Sequence, residues 1–173
     1  MFIEIIPNWH PIFVHFTIGL LSISTLFFIL GFFSLNPWKE KCLLVARWNL
    51  WIGTFITIGT LLAGWHAYNT VSHDGPSHAA MTDHRNWALA TATAYILLVA
   101  MDFIYRKKTK RGLFFMGFLL ISSGLLAITG YKGGELVYRY GLGVMSLPQA
   151  EAEDMEHNHS EGKNEHGGEE HEH

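Results

Sequence analysis

Residues 5–38 read IIPNWHPIFVHFTIGLLSISTLFFILGFFSLNPW. Between Glu4 and Lys39 there is no Asp, Glu, Lys or Arg. An α-helix needs roughly 20 apolar residues to cross a hydrocarbon core of about 30 Å, and this stretch exceeds that. Pro11 suits the first helical position, where its missing N–H costs nothing. Asn36-Pro37 closes the segment, because the residue before a proline resists the helical region. The stretch therefore reads as a membrane-spanning helix over residues 10–33.

Working outward, the same charge-free pattern recurs between Arg47 and Asp74, between Arg85 and Asp102, and between Arg111 and Lys132. The third window is shorter and is extended by Phe103, Ile104 and Tyr105. These windows predict helices over 45–68, 83–105 and 112–131, with Thr82 or Asp83 capping the third. No internal repeat is evident at the level of motifs. The fold class is all-α: an integral-membrane four-helix bundle forming one domain over residues 1–148. Residues 132–145 are glycine-rich and too polar to span, and are expected to fold back as an interfacial segment over the mouth of the bundle. Residues 149–173 form a separate tail. From Glu151 to His173 it holds nine acidic residues and five histidines, too little apolar surface to offset chain entropy, so disorder is expected. This tail also explains a mean hydropathy of only +0.18.

Orientation follows from the basic residues. Lys39, Lys41 and Arg47, with Arg106, Lys107, Lys108, Lys110 and Arg111, make eight of the twelve Lys and Arg, all at one side of the predicted topology. That side should be cytoplasmic. Both termini and the 69–82 loop then lie on the periplasmic side of a bacterial inner membrane. Trp9, Trp65, Tyr68, Trp87 and Tyr131 mark the outer interface, and Trp38 and Trp48 the inner one. The N-terminus has no basic residue and no small-residue cleavage site, so the first helix is expected to be retained. The one cysteine, Cys42, excludes an internal disulfide and a Cys-x-x-Cys-His haem attachment.

The histidines gather at the outer ends of these helices. His15 lies one turn inside the first span, where an ionisable group usually faces the bundle interior. His66 sits at matched depth on the second. Two imidazoles from different helices at one depth are what a bis-histidine haem b requires. They also supply two of the four ligands of a zinc or copper site, or hydrogen bonds that join helices. His10 and His84 stand in reserve as ligands. His10 and His15 are five residues apart, about 140° around a helix, so they do not face one ion together. Arg85 and Arg139 are candidates for haem propionates. Gly53, Thr57, Thr60 and Gly64 line one helix face and read as close helix packing. His73 and His78, with Asp74 in a Gly- and Pro-containing loop, read as solvated loop residues, with a hard-ligand metal site there as the lesser alternative. In the tail, His157, His159, His171 and His173 lie among carboxylates, a pattern that binds Zn, Cu or Ni loosely. There is no P-loop, nucleophile elbow or His-Glu-x-x-His motif. The basic run 106–111 abuts a membrane helix, which fits anionic lipid rather than nucleic acid.

Three segments carry a family resemblance: Asn8-Trp9-His10-Pro11-Ile12-Phe13-Val14-His15-Phe16, Gly64-Trp65-His66 through His84-Arg85, and Gly133-Gly134-Glu135-Leu136-Val137-Tyr138-Arg139-Tyr140-Gly141-Leu142-Gly143-Val144. Over about residues 8–145 the chain resembles the bacterial four-helix membrane family DUF2231. The resemblance implies an inner-membrane protein of no established activity. Through members joined to c-type cytochrome segments it implies redox work and a c-type cytochrome as partner. It also implies histidine at the position held here by Tyr140, making Tyr140 a candidate ligand or hydrogen-bond donor. The leading expectation is a redox subunit holding haem b near the periplasmic face, with His15 and His66 as axial ligands, an electron-transfer or binding subunit rather than a stand-alone enzyme. Alternatives are a protein that handles divalent Zn, Cu or Ni, and a structural subunit of a larger complex or oligomer.

Overall fold

The computed structural model describes residues 8–105 and 112–144. Four helices follow one another: α1 His10–Phe33, α2 Trp38–Thr70, α3 Gly75–Tyr105 and α4 Gly112–Tyr138. Each is long and apolar enough to cross a membrane. They run up-down-up-down, with α1 and α3 each packed on α2 and α4 and facing one another across the diagonal. The tail, including His157, His159, His171 and His173, lies outside the described residues, as does the basic run 106–111.

Three helices are longer than expected, each for a local reason. Helix α2 starts at Trp38 rather than 45, directly after Pro37, so Lys39, Lys41 and Arg47 sit in the helix and not in a connection. Helix α3 starts two turns before residue 83. Asp74, rather than Thr82 or Asp83, is its cap: Asp74 Oδ1 accepts the Ser77 N–H at 2.9 Å, and Ser77 Oγ accepts the Asp74 N–H at 3.0 Å. This reciprocal pair satisfies two donors that a helix start leaves open. Helix α4 runs past 131, through Gly133 and Gly134, to Tyr138. The expected fold-back begins only after it, where the amides of Gly141 and Leu142 bond the carbonyls of Val137 and Leu136. Gly141 (φ 62°) and Gly143 (φ 80°) supply the left-handed conformations that this reversal needs.

The bundle is apolar outside and mixed inside, where hydroxyls stand among buried Leu21, Phe28, Leu50, Leu98 and Leu119. Phe33, Leu113 and Phe114 are each nearly four-fifths exposed, while Thr17, Ser24, Thr57, Thr60, Thr91 and Ser122 are buried. In lipid the hydrophobic effect does not drive helices together, so small residues and hydroxyls make the interface. Thr17 and Thr60 hydroxyls meet at 2.7 Å, Thr91 and Thr129 at 2.8 Å, and Thr25 and Ser123 at 2.8 Å. Ser24 Oγ donates to the Ala46 carbonyl at 2.8 Å. Helices α1 and α2 are the most closely packed: a methyl on Gly53 would stand 2.8 Å from Leu21 Cδ2.

A repeat hidden from motif comparison emerges from these contacts. His10 and Thr17 on α1 correspond to His84 and Thr91 on α3, both 74 residues on. Thr60 and Gly64 on α2 correspond to Thr129 and Gly133 on α4, both 69 residues on. The same offsets carry buried Thr17, Leu21, Ser24 and Phe28 onto buried Thr91, Tyr95, Leu98 and Asp102. They carry buried Ala46, Leu50, Gly53 and Thr57 onto buried Phe115, Leu119, Ser122 and Leu126. The same offsets thus relate the α1–α2 hairpin to the α3–α4 hairpin, buried position to buried position. The relation explains one irregularity. Thr54 Oγ1 is buried without a hydrogen-bond partner. Its counterpart Ser123 bonds Thr25, but the counterpart of Thr25 is Val99, which has no hydroxyl to offer.

Candidate functional site

At the end of the bundle where α1 and α3 begin, His10 and His84 reach across the diagonal. Their ring centres are 6.3 Å apart and their planes are crossed at 78°. Both rings are partly buried. They meet because each turns toward the bundle axis and each lies on a glycine. A methyl on Gly64 would stand 2.9 Å from His10 Cε1, and one on Gly133 would stand 3.1 Å from His84 Cε1. The two glycines, one helical turn beyond Thr60 and Thr129, are what make room for the imidazoles.

The polar contacts of the pair are unequal. His10 Nδ1 lies 3.0 Å from the Thr60 carbonyl. A carbonyl only accepts, so Nδ1 carries the proton and Nε2 keeps its lone pair. His84 Nδ1 is buried without a hydrogen bond of good geometry, and the Thr129 carbonyl, counterpart of the Thr60 carbonyl, is the acceptor beside its ring.

His15 and His66, the expected axial pair, are not brought together in the interior. Both side chains are exposed. His15 Nδ1 donates to the Pro11 carbonyl of its own helix, so its hydrogen bond is local rather than between helices. The angle between His10 and His15 explains the outcome: once His10 points to the axis, His15 points away from it.

Charged residues surround the pair. Lys132, next to Gly133, bridges Asp83 at 2.9 Å and Glu135 at 3.7 Å. Arg139 pairs with Glu135 at 2.8 Å. Arg85 lies over the Tyr68 ring, 4.9 Å from its centre. Beside them is an open cleft of about 810 Å³, whose walls include His66, His73, Asp74, Arg139 and Tyr140. The candidates His66, Arg139 and Tyr140 thus share one cleft, apart from the His10–His84 pair. The Ser77 hydroxyl and amide both bond Asp74 and hold its carboxyl below the usual range.

Sequence reasoning missed a second polar centre toward the opposite end. Asp102 has a side chain only 1% exposed, and Arg47 Nε lies 3.1 Å from its Oδ2. Trp51 Nε1 donates to the same carboxylate at 3.2 Å. The signal was present: Asp102 is the only acid between Arg85 and the basic run, and an intramembrane carboxylate normally has a partner inside the bundle. Among the described residues no three His, Cys, Asp or Glu side chains converge as a metal site.

A profile of the family DUF2231, described as a predicted membrane protein, matches residues 7–146. No curated protein and no solved structure matches the chain.

Proposed function

The chain belongs to the DUF2231 family of predicted membrane proteins, and within that frame we propose that His10 and His84 are the axial ligands of a haem b, making the protein a membrane electron-transfer subunit. The observation that carries the reading is the meeting of these two imidazoles across the bundle axis, 6.3 Å between centres. Metal–imidazole bonds of about 2 Å would let both rings hold one metal atom at a spacing of this order.

Three further features support it. His10 is held by the Thr60 carbonyl in the tautomer that leaves Nε2 free, the arrangement usual for a metal-bound histidine. The glycine beneath each ring leaves the space that the imidazole occupies. Finally, a haem iron asks only two ligands of the protein, the number that this pair supplies. A haem held there supplies a one-electron couple. Arg85, Lys132 and Arg139 cluster at the same end and provide cations for its propionates. By the positive-inside rule this end faces the periplasm of a bacterial inner membrane, where a c-type cytochrome is the fitting partner.

The test is a reduced-minus-oxidised spectrum of the full chain, purified in mild detergent from cells supplied with haem. A haem b band is expected in the parent, in His15→Ala and in His66→Ala. It should be lost in His10→Ala and in His84→Ala while the helical melt of each survives. A featureless parent spectrum, or full haem retention in the His10 and His84 variants, overturns the assignment. In that case the pair is a hydrogen-bonding joint between helices.

A further inference from the structure

A second imidazole pair lies at the mouth of the bundle and is independent of the first. His73, in the short loop before α3, and His78, in the first turn of α3, are both exposed. His73 Nε2 and His78 Nδ1 are 2.8 Å apart. The ring centres are only 5.0 Å apart and the planes are within 15°. Side by side at that spacing, the two nitrogens point directly at each other.

The far nitrogen of each ring is anchored on oxygen. His73 Nδ1 donates to the Val71 carbonyl at 2.7 Å. His78 Nε2 faces the Tyr68 hydroxyl at 3.1 Å, and that hydroxyl meets Thr82 Oγ1 at 2.9 Å. The Val71 carbonyl only accepts, so His73 Nε2 carries a lone pair, and one proton, on His78 Nδ1, fills the gap between the rings. We propose that His73 and His78 bind a zinc-like divalent transition-metal ion in place of that proton, with water completing the coordination from the open cleft.

The chemistry balances without any net loss of a proton. The proton on His78 Nδ1 moves to His78 Nε2, where the Tyr68 oxygen accepts it and the Tyr68 hydroxyl turns to donate to Thr82. Both near nitrogens then offer lone pairs, and both far nitrogens donate to oxygen, as metal-bound histidines usually do. To admit a tetrahedral ion with bonds of about 2.0 Å, the 2.8 Å separation widens by about half an ångström and each exposed ring swings off the line between the nitrogens so that both lone pairs meet the ion. Asp74, adjacent to His73, adds a carboxylate favourable to a cation. Arg85, over the Tyr68 ring, and Arg139, in the cleft wall, oppose it, and His66 lines the same cleft. With two protein ligands the site is of modest affinity.

The experiment uses the full-length chain with the five tail histidines, His157, His159, His166, His171 and His173, replaced by alanine. Zinc alone is titrated against a chromophoric chelator. One site is expected in this parent, weakened at least tenfold by His73→Ala and by His78→Ala, and about tenfold by Tyr68→Phe through loss of the supporting oxygen contact. His10→Ala should leave it unchanged, which separates this site from the haem reading. No zinc site in the parent, or equal binding in the His73 and His78 variants, overturns the proposal. Helical melts of the same samples show that each variant is folded.

Discussion

Replacing Asp102 with leucine removes the one carboxylate that the interior holds toward the basic end. Among the described residues, two donors then lose an acceptor: Arg47 Nε, now at 3.1 Å, and Trp51 Nε1, at 3.2 Å. Removing one member of a buried ion pair costs about 3–5 kcal/mol. The Arg47 side chain is 31% exposed, so the low end of about 3 kcal/mol applies, with about 1 kcal/mol more for the indole N–H. That is between two and three powers of ten in the folding equilibrium. The double variant Arg47→Met with Asp102→Leu removes both charges together and should fall within about 1 kcal/mol of the parent. The equivalent α4–α1 contact supports this expectation, since its positions are Met116 and Phe28, both apolar. The assay is unfolding in mixed micelles with increasing SDS, followed by circular dichroism. A coupling of about 2 kcal/mol or more between the two substitutions is expected. If the double variant is as unstable as Asp102→Leu alone, the ion pair is not what holds α2 to α3 there.

Further outcomes follow from single contacts. Val99→Thr should give the orphaned Thr54 hydroxyl a partner and raise stability by about 0.6 kcal/mol, whereas Thr54→Val should raise it by about 1 kcal/mol by deleting the unmet group; a fall in melting temperature for both would refute the pairing. Gly53→Ala should cost about 1–3 kcal/mol through the clash with Leu21. Gly124→Ala, where nothing lies within 4 Å, should be neutral or stabilising, and equal melts would contradict the packing described. Asp74 has its pKa lowered in the folded chain by Ser77. Its contribution to the start of α3 is therefore complete above the ordinary carboxylate range and lost as pH falls through the lowered value. Hydrogen exchange at the Ser77 amide should accelerate only in that acid range, and Ser77→Ala should move the onset to higher pH.

Much of this architecture is legible in the chain because lipid imposes it. Four charge-free windows mark the four helices, and His10, His15, His66 and His84 fall at their ends. What periodicity does not reveal is rotation. With apolar residues on every face, as in α1, there is no hydrophobic stripe to say which side looks inward, and so the choice between His10 and His15 was open. The inward face is instead marked by hydroxyls and small residues, Thr17, Ser24 and Gly31 on α1. On that criterion His10, seven residues before Thr17, is the inward histidine. The helix ends were misplaced where polar residues were taken as loop: Asp74 and Ser77 are a cap, and Lys132-Gly133-Gly134 continue a helix whose glycine is needed beside His84. The repeat escaped because few identities survive between the halves; what persists is the pattern of buried positions.

That duplication gives the protein a built-in control. An inward-facing residue of one hairpin has a counterpart 74 or 69 residues away, in a comparable environment and in the same molecule. Exchanging the two, or substituting them singly and together, separates what a position needs for packing from what only one hairpin does. Thr17 and Thr91 should tolerate one another's substitutions alike. Where two counterparts answer differently, as Asp102 and Phe28 must, the difference marks the step at which the halves stopped being interchangeable.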